Sequence, residues 1–163
     1  MIGKVGRAST IRSNNASAQD YSLVGSYKLI SNTRKVVDTG EVFDTGTQPN
    51  GYIIYTPDNR MLVLIVSDKN DRPAPESFVG LTDEQCASLF RTMTSYGGTY
   101  EFDGQTVKHH VDISWNQAWT GTTQVREFTI VGDRLHIRSV PAKSFQDGRV
   151  ISAALEWMRV PAH

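Results

Sequence analysis

From Leu23 onward the sequence is cut by turn residues into short apolar or alternating segments, a rhythm that fits a meander of antiparallel strands. The segments are 23–31, a weaker 36–43, 51–56, 61–67, 99–103, 106–115, 123–131, 134–139 and 150–159. Their connections carry matching chemistry. In "TPDN" Pro57 supplies the fixed φ of a type I turn, while Asp103-Gly104, Gly132-Asp133 and Asp147-Gly148 tolerate positive φ. Most neighbouring strands are therefore expected to pair as hairpins. Eight or nine such strands predict an all-β, antiparallel up-and-down barrel, because closure removes exposed edges and leaves an interior for side chains or one small ligand.

One segment breaks the rhythm. "LTDEQCASLFRTMTSYGG" has Thr82 and Gln85 at capping-box spacing, Asp83 and Glu84 in the first turn, and Gly97-Gly98 as a stop. Cys86, Leu89, Phe90 and Met93 recur at helical spacing and define one apolar face, so a helix over 82–96 is predicted, lying as a lid on the open end of the barrel. The polar, proline-containing stretch 67–80 before it is the kind of loop that borders a ligand entrance. Residues 1–20 show no useful periodicity and are expected to form a flexible N-terminal arm, with 21–163 as one barrel domain.

The bulk numbers exclude several functions. Seventeen Lys and Arg balance 17 Asp and Glu, so there is no cationic field to hold a nucleic acid. No apolar run is long enough to span a bilayer, and the start lacks the apolar segment of a secretion signal; a soluble, cytoplasmic protein is expected, with a homodimer left open. The lone Cys86 reads as a core thiol in a reducing compartment. Three of the four histidines lie on predicted strands without carboxylates at metal-ligand spacing, and His163 is terminal. With no Gly-rich phosphate loop, Gly-x-Ser-x-Gly elbow or paired-cysteine motif, neither a metal nor a cofactor is expected.

Alternation assigns the faces. Over 106–115, Val107, His109, Val111, Ile113 and Trp115 share the inward face, leaving Lys108, His110, Asp112 and Ser114 to solvent. On the partner strand Arg126, Phe128 and Ile130 face inward, which brings a guanidinium near His109. A buried arginine needs a carboxylate, carbonyls or an anionic ligand group. His109 and Arg126 are the catalytic candidates, the first as general acid or base, the second as holder of a carboxylate, carbonyl or enolate oxygen. Their bland reading is a hydrogen-bonded pair inside a filled barrel. Tyr52, Tyr55, Tyr100, Trp115, Trp119 and Phe128 are candidate ligand contacts, though buried rings are first of all core.

"LVGSYKLIS", "GYIIYTPDNRM", "YEFDGQTVKHHVDIS" with "GTTQVREF" after it, and "LEWMRV" occur in the order and spacing of the lipocalin-like domain family, which the chain resembles over residues 22–160. The resemblance implies a lipocalin-type β-barrel with a central cavity and one lid helix. In the wider lipocalin pattern a Gly-x-Trp on the first strand packs near an arginine of the last; here Gly25-Ser26-Tyr27 would meet Arg159, with tyrosine in place of tryptophan. Folds of this kind host both enzymes and carriers. Two functions follow for a small apolar or aromatic ligand: a cofactor-independent isomerase, cyclase or dehydratase, or a non-catalytic carrier.

Overall fold

The computed structural model describes residues 23–45, 49–67, 72, 79–144 and 147–161. Their strands, in chain order, are β1 (Gly25–Val36), β2 (Val42–Asp44), β3 (Asn50–Tyr55), β4 (Arg60–Val66), β5 (Met93–Phe102), β6 (Thr106–Ser114), β7 (Thr123–Val131), β8 (Arg134–Ser139), β9 (Ala142–Lys143) and β10 (Val150–Arg159). Among the described residues, the helix α1 (Asp83–Arg91) lies between β4 and β5, and a 3-10 turn, Gln117–Trp119, joins β6 to β7. β1, β3 to β8 and β10 form an antiparallel barrel of eight strands, closed where β1 pairs with β10; β2 and β9 are short additions to β1 and β10. The expected arm at 1–20 and most of the 67–80 connection lie outside the described residues.

The core follows the strand alternation. Tyr27, Leu29, Ile53, Tyr55, Met61, Val63, Val107, Val111, Leu135, Ile137 and Trp157 all point inward and are buried. At one end the barrel is shut by the last strand. Arg159 stands opposite Tyr27 in the β1–β10 ladder, lies 4.7 Å over its ring, and donates to the Tyr27 hydroxyl and to the Val24 carbonyl at 2.8 Å. Gly25 belongs to this arrangement because a Cβ there would collide with the Arg159 guanidinium, and because its φ of +149° is one that side chains rarely adopt.

Two irregularities re-aim side chains. Register slips between Leu29 and Ser31 on β1, so the inward set changes from Tyr27 and Leu29 to Asn32, Arg34 and Val36. A second slip, at Gly97/Gly98 on β5, pairs Gly97 with Ile113 but Gly98 with Val111. Beyond it β6 changes phase, and Ile113, expected inward, is 67% exposed. Gly98 makes this possible: at φ +159° it lies so close to β6 that a Cβ would run into the His110 carbonyl oxygen.

Two predicted elements are corrected. The segment 36–43 is mostly a turn, closed by Val36 N–H to Glu41 O at 2.8 Å and Gly40 N–H to Val36 O at 2.9 Å, with only β2 extended beyond it. The helix starts as expected, with the full Thr82/Gln85 capping box, but ends at Arg91 rather than residue 96. Its last carbonyls are taken by Arg72, whose Nη1 donates to Leu89 O and Thr92 O, each at 3.2 Å. Met93 to Tyr96 instead pair with Val66 to Val63 of β4, a ladder that outweighs the weak helical preference of the Thr-rich segment. No α1 residue is buried, and Cys86 is exposed rather than a core thiol. The helix connects β4 and β5 at the open end without sealing it by an apolar face.

Gly98→Ala is expected to destabilise the fold by more than about 1 kcal/mol, measured by urea unfolding. Phe90→Ala, at a position 44% exposed, is expected to cost less than about 1 kcal/mol, whereas a buried lid face would cost several times that.

Candidate functional site

The barrel holds a cavity of about 270 Å³ whose lining includes the partly exposed Trp119, Thr123, Val140 and Lys143. Ile53, Val63, Ile137 and Leu155 supply apolar wall, while Asn32, His109, Gln124 and Arg126 supply polar groups. The inward phase of β6 and β7 read from the sequence holds for His109 and Arg126: Val107 and His109 are buried, and the ladder sets Val107 opposite Arg126 and His109 opposite Gln124.

His109 is 1% exposed and bonded at both ring nitrogens, Nε2 to the Tyr55 hydroxyl at 2.8 Å and Nδ1 to the Tyr96 hydroxyl at 2.9 Å. Burial, aided by the charges of Arg126 and His110, pushes its pKa from 6.5 down to about 3, so the ring is neutral at neutral pH. The two phenols are raised above the usual tyrosine value of 10.0, again by burial, and Arg126 acts against that rise at both. Arg126 itself donates from Nη1 to Val125 O at 2.9 Å and from Nη2 to Gln124 Oε1 at 3.2 Å. Both partners are uncharged oxygens.

The other candidates separate. Tyr55 and Trp119 join His109 and Arg126, Tyr55 by its hydrogen bond and Trp119 in the cavity wall, packed edge-on against Tyr96 at 5.5 Å. Trp115 packs edge-on behind Trp119 at 5.1 Å and meets Phe90 of α1 at 6.3 Å, outside the lining. Tyr100 packs on Tyr55 at 4.9 Å and donates its hydroxyl to Thr56 O at 3.1 Å, away from the cavity. Phe128 fills core against Phe102. Tyr52 stands on the outer face, 45% exposed, with the Lys28 ammonium 4.3 Å above its ring. Its phase opposite Ile53 and Tyr55 already pointed that way.

Asn32 and Trp157 were not among the sequence candidates for the cavity, and Tyr96, one of the rings that could line an aromatic pocket, was not among the chosen ligand contacts. Tyr96 was hidden inside the predicted helix, and Asn32 comes inward only through the β1 register slip. Asn32 Oδ1 and Trp157 Nε1 are buried with no hydrogen-bond partner among the described residues. Among the described residues no group of three or more His, Cys, Asp and Glu is placed to hold a metal, and no helix is long and apolar enough to cross a membrane.

The profile of the lipocalin-like domain matches residues 24–160. The chain belongs to the lipocalin-like domain family. Its barrel and cavity suit small-molecule binding, as in other lipocalin-like folds. No curated protein matches the chain.

The neutral His109 gives the fold a pH signature. The unfolded chain takes up a proton near 6.5 that the folded chain refuses until about 3, so stability is full above 6.5 and declines as pH falls through that interval. Urea unfolding should show a loss of about 2 kcal/mol between neutral pH and pH 5 from this residue, about 1.4 kcal/mol per pH unit once the unfolded histidine is charged. His109→Gln, which cannot titrate, should lose that part of the slope.

Proposed function

We propose that the protein binds one small, largely apolar or aromatic molecule inside the barrel and meets its polar end with Tyr96, Arg126, Asn32 and Trp157. The observation that carries this reading is the pair of unpartnered buried atoms, Asn32 Oδ1 and Trp157 Nε1, in residues that line the cavity. Buried polar atoms are ordinarily satisfied, and a cavity occupant supplies what the protein here does not.

A catalytic form of the same reading is favoured by one further observation, the phenol–imidazole–phenol chain that ends at the cavity in Tyr96. In a cofactor-independent isomerase, cyclase or dehydratase, Tyr96 would give its proton to the substrate and take one back from it, the transient phenolate being met by the His109 Nδ1–H. Arg126 would meet negative charge developing on the substrate oxygen. His109 would then act from behind Tyr96 rather than on the substrate. In a carrier the same groups only orient the ligand.

The test is a panel of aromatic and alicyclic acids, phenols and ketones incubated with the wild type. A ligand present at 100 times its Kd should raise stability by about 2.7 kcal/mol. Ala153→Phe, which puts a ring into the cavity wall, should abolish that rise; if the rise persists, the ligand is not in the barrel. A bound compound recovered unchanged after hours identifies a carrier, while conversion above the buffer control that Tyr96→Phe lowers by about 10² or more identifies an enzyme.

A further inference from the structure

We infer that the cavity is a receptor for an anionic or strongly accepting oxygen, a carboxylate, phenolate or enolate on an apolar body. Tyr55 sets this polarity by fixing which nitrogen of His109 carries the proton. The inference rests on the small-molecule reading above and adds the chemistry of the ligand's head.

A neutral imidazole has one N–H and one bare nitrogen, so of its two tyrosine partners one must accept and the other must donate. Suppose the proton were on Nε2. The Tyr55 hydroxyl, 1% exposed, would accept it, and its own O–H would have no acceptor among the described residues, since His109 is its hydrogen-bond partner there. A buried donor left in that state is expensive. With the proton on Nδ1, Tyr55 donates to Nε2, and Nδ1–H donates to the Tyr96 oxygen. The Tyr96 proton is then turned away from the histidine. Tyr96, unlike Tyr55, lines the cavity, so this arrangement gives every proton in the chain an outlet. The hydroxyl therefore reaches the ligand as a donor.

The rest of the lining has the same sign. Among the described residues Arg126 has a carbonyl, an amide oxygen and the Tyr96 hydroxyl for partners, all uncharged, and Trp157 Nε1, a donor that cannot accept, has none. Arg34 and Lys143 also line the cavity, whereas no Asp or Glu does so among the described residues; Asp147, paired with Arg149, is the carboxylate acting on Arg34. Asn32 offers both a donor and an acceptor and is neutral to the choice. Arg126, half-buried and with no carboxylate partner among the described residues, favours an anion and repels an ammonium group.

The probes are 2-naphthoate, naphthalene and 2-naphthylmethylammonium, with binding read by calorimetry, and the ring nitrogens of His109 read by nitrogen-15 NMR at pH 7 in the unliganded protein. The expected results are a protonated Nδ1 with a bare, hydrogen-bonded Nε2, and naphthoate binding at least 10-fold tighter than the ammonium probe. Tyr96→Phe and Arg126→Gln should each weaken naphthoate about 10-fold while leaving naphthalene within about twofold; if one variant fails to fold, the other carries the test. Tyr55→Phe should raise the Nε2–H population, a signature that lost packing alone does not produce. A wild-type ring protonated at Nε2, or at both nitrogens, overturns the tautomer, and an ammonium probe that binds as well as naphthoate overturns the receptor. If none of the three probes binds, the small-molecule reading fails and takes the receptor with it, while the NMR result still decides the tautomer.

Discussion

The ladder between β1 and β10 is the constraint on which the other parts depend, because it turns a row of hairpins into a closed wall. It runs from Tyr27 opposite Arg159 to Val36 opposite Ile151. Along the way β1 also serves β3 through residues 25–28 and β2 through residues 33–35. A strand with that many partners cannot move without opening the barrel. The Arg159 guanidinium, held on the Tyr27 ring and the Val24 carbonyl, pins one end of the ladder, and the pin is possible only because position 25 has no side chain. Closure also leaves few strand edges for another chain to extend. At the ends of the sheet order stand β2 and β9, which are only three and two residues long.

Within that wall the polar interior is arranged so that buried groups satisfy one another in sequence. His109 stays neutral because burial and the nearby Arg126 both oppose its charge, and a neutral imidazole can bridge two phenols as an imidazolium cannot. The arginine thus acts twice: it shapes the field around the histidine, and it lines the cavity beside Tyr96. This couples the stability of the barrel to the chemistry of its site. A substitution at His109 would disturb both together, which is why Tyr96 and Arg126 are the better places to probe binding.

The alternation rule recovered much of this, and it failed where the pleat is interrupted. His109 against His110, and Arg126 with Phe128, were legible because β6 and β7 keep a strict two-residue period there. Ile113 and Asn32 were not, since each lies past a register slip that reverses the faces, and a slip of one residue leaves little trace in a hydrophobic pattern. Tyr96 was lost for a different reason. Four apolar residues at helical spacing carried the predicted helix through Met93, although the ladder with β4 takes the chain from that residue onward. Tyr52 was chosen for its ring alone, against the phase of Ile53 and Tyr55, and it stands outside. The resemblance in the short motifs supplied the family and the cavity, but a shared fold says little about which polar atoms meet a ligand.

The crossing of Trp115 and Trp119, 5.1 Å apart at 77°, makes the rim optically distinctive. Two indoles so near and so far from parallel couple through their strong far-ultraviolet transitions, giving a circular dichroism couplet whose sign and size depend on the angle between them. One of the pair packs on Tyr96 in the cavity wall and the other touches Phe90 on the helix. The couplet therefore reports on both sides of the rim at once: an occupant that displaces Trp119, or a helix that shifts Trp115, alters the same spectral band without any label being attached.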